Sequence, residues 1–124
     1  MQVRIIDNYN QKDVEKFVEL PYNLYAHNKQ WVPPLLSSAR KILNRDKHPF
    51  YEHSEAAFLI AEDNGQVVGR LAVMDNKNYQ AYRGVKAAFF GFLEMVEDQE
   101  VTRALFSAGF DWARNRGLEA MIGP

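Results

Sequence analysis

Three β-prone segments follow one another in the middle of the chain, and they constrain the fold more than any other feature. Ala57–Glu62 and Gln66–Met74 flank Asp63-Asn64-Gly65, a sequence typical of a tight hairpin turn. Val85–Val96 comes next and is a nearly uninterrupted apolar run rich in aromatic residues. The pattern predicts three neighbouring strands, the first two antiparallel, and it excludes an all-helical fold.

Helical patterns precede these strands. Val3–Ile6 predicts a short first strand, and Asn10 is a suitable cap for the helix that follows. Pro21 is expected to stop or kink that helix, because proline lacks the backbone N–H and clashes with the preceding turn. Each of two helices has an apolar stripe at helical spacing: Val14, Phe17 and Val18 in the first, and Leu36, Ala39, Ile42 and Leu43 in the second.

A helix and a short strand are predicted after the long apolar run. The polar stretch Asp75–Gly84 is interpreted as a loop, Asp98 as a helix cap and Gly117 as the end of that helix. Leu118–Ile122 then predicts a strand, giving the order β-α-α-β-β-β-α-β. This order indicates an α/β (α+β) fold whose mixed, mostly antiparallel sheet has helices on both faces. Because a strand after a helix normally has more chain to follow, we expect residues 1–124 to be one incomplete or N-terminal domain, or a domain completed by a second copy.

Composition excludes several functional classes. Fifteen basic and sixteen acidic residues give a net charge of -1, which argues against a nucleic-acid partner. The absence of cysteine excludes disulfides, thiol nucleophiles and cysteine zinc sites, and the spacing of His48 and His53 predicts no metal site. The sequence shows no signal-peptide pattern and no apolar run of about 18 residues, so we expect a cytoplasmic protein without a membrane partner.

Several local sequences resemble one protein group. The segments are Asn28–Leu35, His48–His53, Gly69–Ala72, Phe89–Glu94 and Gly117–Pro124. Together they resemble the N-terminal part of a group of bacterial GNAT-like proteins, which are related to the GNAT N-acetyltransferases. Proteins of this group are about three times as long as this chain. The resemblance covers nearly the whole chain and implies the first half of the GNAT fold.

The resemblance also implies a cofactor site. GNAT enzymes bind acetyl-CoA or another acyl-CoA where the fourth and fifth strands separate, and a glycine-rich loop at the next helix holds the pyrophosphate. The corresponding residues here are Phe92, Leu93, Met95, Val96 and Arg103. The matching loop, residues 97–103, has three acidic residues and no glycine. We therefore keep a second hypothesis, a non-catalytic module that binds a ligand or a partner with a degenerate CoA loop.

Candidate residues for acyl transfer to a small-molecule amine lie on both sides of this region. Glu94 stands in an apolar run, where burial would raise its pKa and suit it to act as a general base; the alternative is an exposed strand end. Three aromatic residues are candidates for the wall of the pocket that binds the acceptor amine: Tyr22, Tyr25 and Trp31. The alternative is that they hold loops against the core. A structural alternative is a homodimer in which the edge formed by Leu118–Pro124 pairs with another chain.

Overall fold

A five-stranded sheet forms the centre of the computed structural model, which describes residues 1–123. The strands lie in their order along the chain, and every neighbouring pair is antiparallel except the last, which is parallel. The strands are β1 (Gln2–Ile5), β2 (Ser54–Asp63), β3 (Gln66–Asn76), β4 (Ala87–Met95) and β5 (Ala120–Ile122).

Helices cover both faces of the sheet, as the sequence predicts. The helices are α1 (Gln11–Leu24), α2 (Leu36–Ile42), α3 (Lys77–Arg83) and α4 (Gln99–Asn115), with a 3-10 turn at Pro49–Glu52. One core lies under α1 and α2, with Phe17, Phe58 and Ile60 almost fully buried. A second core lies under α4, around Leu71 and Leu105. Within residues 1–123, no helix is long and apolar enough to cross a membrane.

Capping and turn residues have the roles predicted from the sequence. Asn10 Oδ1 accepts the N–H of Asp13 at 3.2 Å and begins α1. At the β2–β3 hairpin, Asn64 and Gly65 adopt φ values of 52° and 78°, the left-handed region that such a turn requires. Gly117 ends α4 with a φ of 76°, and the next amide, that of Leu118, bonds back to the Ala113 carbonyl at 3.0 Å.

Two expectations about helix boundaries differ from the structure. Of the two effects predicted for Pro21, the stop does not occur, since α1 continues to Leu24 with the proline inside it. The stretch Asp75–Gly84 is not a loop: β3 extends to Asn76 and α3 follows. Asn76 caps α3 by accepting the N–H of Tyr79 at 3.1 Å, and Gly84 ends it in the left-handed conformation.

An irregularity in β4 lies beside the region predicted to bind a cofactor. Arg70 of β3 pairs with Glu94 and Ala72 pairs with Gly91, which leaves Phe92 and Leu93 together opposite Leu71. This is a β-bulge, and Phe92 takes a φ of 55° that side-chain-bearing residues rarely adopt. The bulge turns the end of β4 relative to β3 and sets the direction of the side chains that follow.

The last strand covers only the beginning of β4. Strand β5 pairs with Ala87–Phe89, so residues 90–95 of β4 have no strand on their outer side within residues 1–123. The predicted strand Leu118–Ile122 is thus shorter than expected, and Pro124 of the predicted dimer edge lies outside the described residues. An open stretch of strand backbone is available next to the bulge.

Candidate functional site

A tyrosine and a glutamate meet where α1 ends beside β4. Tyr25 Oη donates a hydrogen bond to Glu94 Oε2 at 2.5 Å. This hydrogen bond is the main cause that raises the pKa of Tyr25, because losing the phenol proton would remove the donor, and burial is the second cause. Glu94 is half-buried rather than exposed at the strand end, and within residues 1–123 its Oε1 makes no hydrogen bond. One carboxylate oxygen is therefore left for another ligand.

The three aromatic residues predicted to form an acceptor wall lie together at this site. The rings of Tyr22 and Trp31 meet edge to face with centroids 5.2 Å apart, and those of Tyr25 and Trp31 lie 5.5 Å apart. Tyr22 also donates a hydrogen bond to the Pro34 carbonyl, which ties the last turn of α1 to the segment before α2. The structure thus brings Glu94 and the aromatic cluster into one place, and their roles stay predictions.

Arg70 is a site residue that the sequence analysis missed. Its side chain is only 9% exposed, and it lies on the α1 side of the sheet with its charge 4.9 Å from the centre of the Phe17 ring. Nε donates to the Phe92 carbonyl at 2.9 Å and Nη1 donates to the Phe17 carbonyl at 2.8 Å. Burial lowers its pKa to about 10, against the attraction of Glu94 and Tyr25, so it is charged at neutral pH.

Pro21 explains why α1 needs this arginine. A helix normally closes each carbonyl with the N–H four residues later, and Pro21, four residues after Phe17, has none. Arg70 supplies the missing donor and fixes α1 on the bulge of β4 through the Phe92 carbonyl. A helical proline together with a lone arginine in an apolar strand was the available sequence signal, but the pairing needs the tertiary structure to be seen.

The residues predicted to bind a cofactor lie on both sides of β4. Phe92 is 42% exposed and faces α1 and α2, whereas Leu93, Met95 and Val96 pack on the α4 side. Backbone groups of the same segment lie along the open outer edge of β4. Arg103 is exposed on α4, two turns from the end of β4. The strand backbone, more than these side chains, is what the site offers to a ligand.

The N-terminus of α4 is occupied by the protein's own carboxylate. Asp98 Oδ1 accepts the N–H of Glu100 at 2.9 Å, and Glu97 and Glu100 add negative charge on either side. Acidic side chains stabilise a helix N-terminus, but they also repel an anionic group there. The geometry of this loop matches the second hypothesis, a degenerate CoA loop.

His48, Arg40 and Arg45 have structural contacts. His48 Nδ1 accepts the N–H of Phe50 at 3.2 Å and caps the 3-10 turn. Among residues 1–123, no group of three or more histidine, aspartate or glutamate side chains is placed to hold a metal ion. Arg40 pairs with Glu15 at 2.5 Å, and Arg45 pairs with Glu55 at 3.2 Å.

Comparison with solved structures decides the fold. An aminoglycoside acetyltransferase from an uncultured soil metagenomic sample, in complex with sisomicin, matches with a TM-score of 0.69 and 15% identity, over 99% of this chain and 76% of that one. The chain has the GNAT fold. The chain is also similar to AAC(6')-Iy, whose structure contains the bisubstrate analogue CoA-S-monomethyl-acetylneamine. That match has a TM-score of 0.69 and 16% identity, over 99% of this chain and 78% of that one.

A curated relative adds information on the size of related proteins. The GNAT-like chain is 32% identical over 113 residues to a bacterial ceramide synthase of Caulobacter vibrioides strain NA1000 / CB15N, and the matched region covers 90% of this chain. The chain spans 29% of the length of that relative, in keeping with the expected resemblance to part of a longer GNAT-like protein. No protein-family model matches the chain.

Proposed function

We propose that this GNAT-like domain takes part in N-acyl transfer from an acyl-CoA to an amine, with Glu94 as the general base. The observation that carries the proposal is the Tyr25–Glu94 hydrogen bond, which holds one carboxylate oxygen and leaves the other free beside the open edge of β4. A fixed, half-buried carboxylate is suited to accept a proton from a bound ammonium group.

The reaction needs two proton transfers and one bond exchange. Glu94 accepts a proton from the ammonium, which frees the nitrogen lone pair to attack the thioester carbonyl. The C–N bond forms, the C–S bond breaks, and the second nitrogen proton passes to the departing thiolate to give an amide and CoA. Within residues 1–123, the N–H groups on the outer edge of β4 that β5 leaves unpaired are suited to hold the pantetheine arm of the acyl-CoA.

The comparisons support this chemistry at a coarse level. One structural neighbour is named as an acetyltransferase, and a second is bound to an analogue that joins CoA to an acetylated amine. The curated relative is named a ceramide synthase, and a ceramide is the amide of a fatty acid with an amino alcohol. All three names fit acyl transfer to an amine, and they support this proposal.

The capped N-terminus of α4 favours a second candidate, a ligand-binding module that does not use acyl-CoA. Asp98 already occupies the helix amide of Glu100, and three acidic residues surround the position where a pyrophosphate would lie. This module would keep the aromatic cluster and the Glu94 carboxylate to bind a small amine without transferring an acyl group to it.

A calorimetric titration with acetyl-CoA and CoA separates the two candidates. The acyl-transfer proposal expects binding, and it expects Asp98→Asn to tighten binding because asparagine keeps the cap while removing one negative charge. Asp98→Ala is the matched variant that loses both the charge and the cap. No binding at millimolar ligand, by protein whose circular dichroism shows it folded, would overturn acyl-CoA use and favour the binding module.

The role of Glu94 is tested by release of the CoA thiol with a panel of amines. Glu94→Gln is expected to lower the rate by about 100-fold or more, since the amide cannot accept the proton. Glu119→Gln is the matched control, because Glu119 is an exposed glutamate just before β5 and lies outside the acidic loop. Equal rates for Glu94→Gln and the unchanged protein would contradict the assignment of Glu94 as the base.

A further inference from the structure

Two apolar cavities lie side by side on the α1 and α2 face of the sheet. The smaller, about 170 Å³, lies between α1 and α2 over β3 and β4. The larger, about 250 Å³, lies between the 3-10 turn and β2 and β3, with Phe50, Phe58 and Met74 in its wall. Ile42 and Phe92 line both cavities, so these two side chains separate one space from the other.

Arg70 gives the smaller cavity a single charged wall. Among the described residues that line this cavity, Arg70 is the only charged one, and the others are mainly apolar side chains of α1 and α2. Its Nε and Nη1 are used by the Phe92 and Phe17 carbonyls, but Nη2 makes no hydrogen bond within residues 1–123. A mostly buried cation with an unused donor, at the end of an apolar space, is complementary to an oxygen-bearing head on an alkyl chain.

We propose that the smaller cavity binds the fatty acyl chain of the donor, with its carbonyl oxygen at Arg70 and with Phe92 closing off the larger cavity and so limiting the chain length. The inference rests on the proposed function, because the acyl group must lie where Glu94 can deliver an amine. Arg70 and Glu94 are paired across β3 and β4, so a carbonyl held by Arg70 lies beside that carboxylate.

The charge of Arg70 distinguishes an acyl chain from the alkyl chain of an amine. A carbonyl or carboxylate oxygen is attracted to the guanidinium, whereas an ammonium group in the same place is repelled by it in a region of low dielectric. The amine is then left to the aromatic pair Tyr25 and Trp31, which the Tyr25 hydrogen bond holds against Glu94.

The size of the cavities gives a chain-length prediction. At roughly 30 Å³ for a group the size of a water or a methylene, the smaller cavity holds about five or six carbons and both together about fourteen. While the Phe92 ring stands between them, affinity should rise with chain length up to about six carbons and then level off. Removing the ring in Phe92→Ala joins the spaces, and each further methylene is then buried in apolar surroundings.

Calorimetric titration with fatty carboxylates of 6, 8, 10 and 14 carbons tests the inference without CoA or an amine. For Phe92→Ala we expect the affinity to rise at least about tenfold from 8 to 14 carbons, with a level response in the unchanged protein. Phe110→Ala is the matched control, since Phe110 is 44% exposed against 42% for Phe92 and lies on α4, on the other face. A control that behaves like Phe92→Ala would overturn the assignment of Phe92.

Two further experiments test the assignment of the cavity and of Arg70. Ser38→Phe places a ring in the smaller cavity from an exposed position on α2, and we expect it to abolish carboxylate binding while the protein stays folded. Decanoate should bind at least about tenfold more tightly than decylamine. Equal or tighter binding of decylamine, or no binding of any fatty carboxylate at millimolar concentration, would overturn the inference.

These outcomes are separate from those of acyl transfer. Protein that binds fatty carboxylates but transfers no acyl group to any amine would overturn the proposed function and leave the alkyl-chain site standing. Protein that transfers acetyl groups but gains no affinity from a longer chain would do the reverse.

Discussion

Arg70 connects two backbone carbonyls that would otherwise lack partners in the core. One belongs to Phe17, whose helix donor is absent because of Pro21, and the other belongs to Phe92 at the bulge. A buried carbonyl without a donor costs about 1–3 kcal/mol. The arginine therefore stabilises both α1 and the local shape of β4, and the site depends on it for its geometry.

Arg70→Met is expected to lower the free energy of unfolding by about 2–4 kcal/mol, because it leaves both carbonyls unpaired while keeping most of the side-chain volume. Urea denaturation measures the change. Arg103→Met, at an exposed position on α4, serves as the control and should stay within about 0.5 kcal/mol of the unchanged protein. A similarly small effect at Arg70 would show that these two hydrogen bonds do not hold α1 in place.

Asp13 makes folding sensitive to acid. Arg4 donates to both of its carboxylate oxygens, at 2.9 and 2.8 Å, and the backbone N–H of Asp7 donates at 3.0 Å. Hydrogen bonding to Arg4 is the main cause that lowers the pKa of Asp13 to about 2, despite burial. A lowered pKa in the folded state gives stability that is present above the unfolded pKa of about 4 and lost as the pH falls toward 2.

We expect this group to contribute about 1–2 kcal/mol to the loss of stability between pH 5 and pH 2, after allowing for the partial exposure of Arg4. In Asp13→Asn the pH dependence of urea denaturation over that interval should shrink by the same amount. Asp111→Asn, at an exposed position on α4, should leave the pH dependence unchanged. An undiminished slope in Asp13→Asn would contradict the pairing.

At the scale of elements, the sequence predicted what depends on neighbouring residues. The hairpin at Asn64-Gly65 and the caps at Asn10 and Asp98 follow from local backbone chemistry, and all three are confirmed. The continuation of α1 past Pro21 was not predictable, because the donor that takes up the Phe17 carbonyl comes from β3, far along the chain. The short helix α3 was missed because it has no apolar stripe, although Asn76 and Gly84 carried its boundary signals.

The same division applies to the candidate site. Glu94 and the three aromatic residues were recognisable by residue type and by resemblance, and the structure places them together. Arg70 and the cavities beside Phe92 were not recognisable, because they exist only once α1, α2 and β4 pack on one another. The bulge in β4 likewise depends on pairing with β3, which a single strand sequence does not reveal.

The contact between α4 and the sheet depends on Gly69 of β3. A Cβ atom at this position would lie 2.7 Å from Val101 Cγ1 and 2.9 Å from Leu105 Cδ1, too close for either side chain to stay where it is. Gly69→Ala should therefore push α4 outward and lower the free energy of unfolding by about 1–3 kcal/mol in urea denaturation.

Gly91→Ala is the matched control for that prediction, because its added Cβ would lie 3.6 Å from Met74 Cε, an ordinary contact. We expect the Gly91 variant to be at least 1 kcal/mol more stable than the Gly69 variant. If both variants unfold at the same urea concentration with the same slope, close packing of α4 is not what Gly69 provides.

At the scale of the whole molecule, the two faces of the sheet differ in what they can do. The α1 and α2 face contains the carboxylate, the buried arginine and two cavities that share a wall. The α4 face packs closely on the sheet around Leu71 and Leu105. Between the faces, the outer edge of β4 beyond Phe89 and the outer edge of β5 present strand backbone that β-pairing within residues 1–123 does not use.

We propose that the β5 edge pairs with a second copy of the chain. Ala120 donates its N–H to the carbonyl of Lys86, the residue before β4, at 3.3 Å, and since ladder bonds alternate along a strand, the N–H of Met121 points to the outer edge. Sedimentation velocity should then show the mass rising from 14.3 kDa toward twice that value as the concentration increases. Met121→Pro removes the outward donor and should keep the protein monomeric, whereas Met121→Ala loses the same packing but retains the donor and should still associate. A constant monomer mass up to millimolar concentration, or association that survives Met121→Pro, would contradict pairing through this edge.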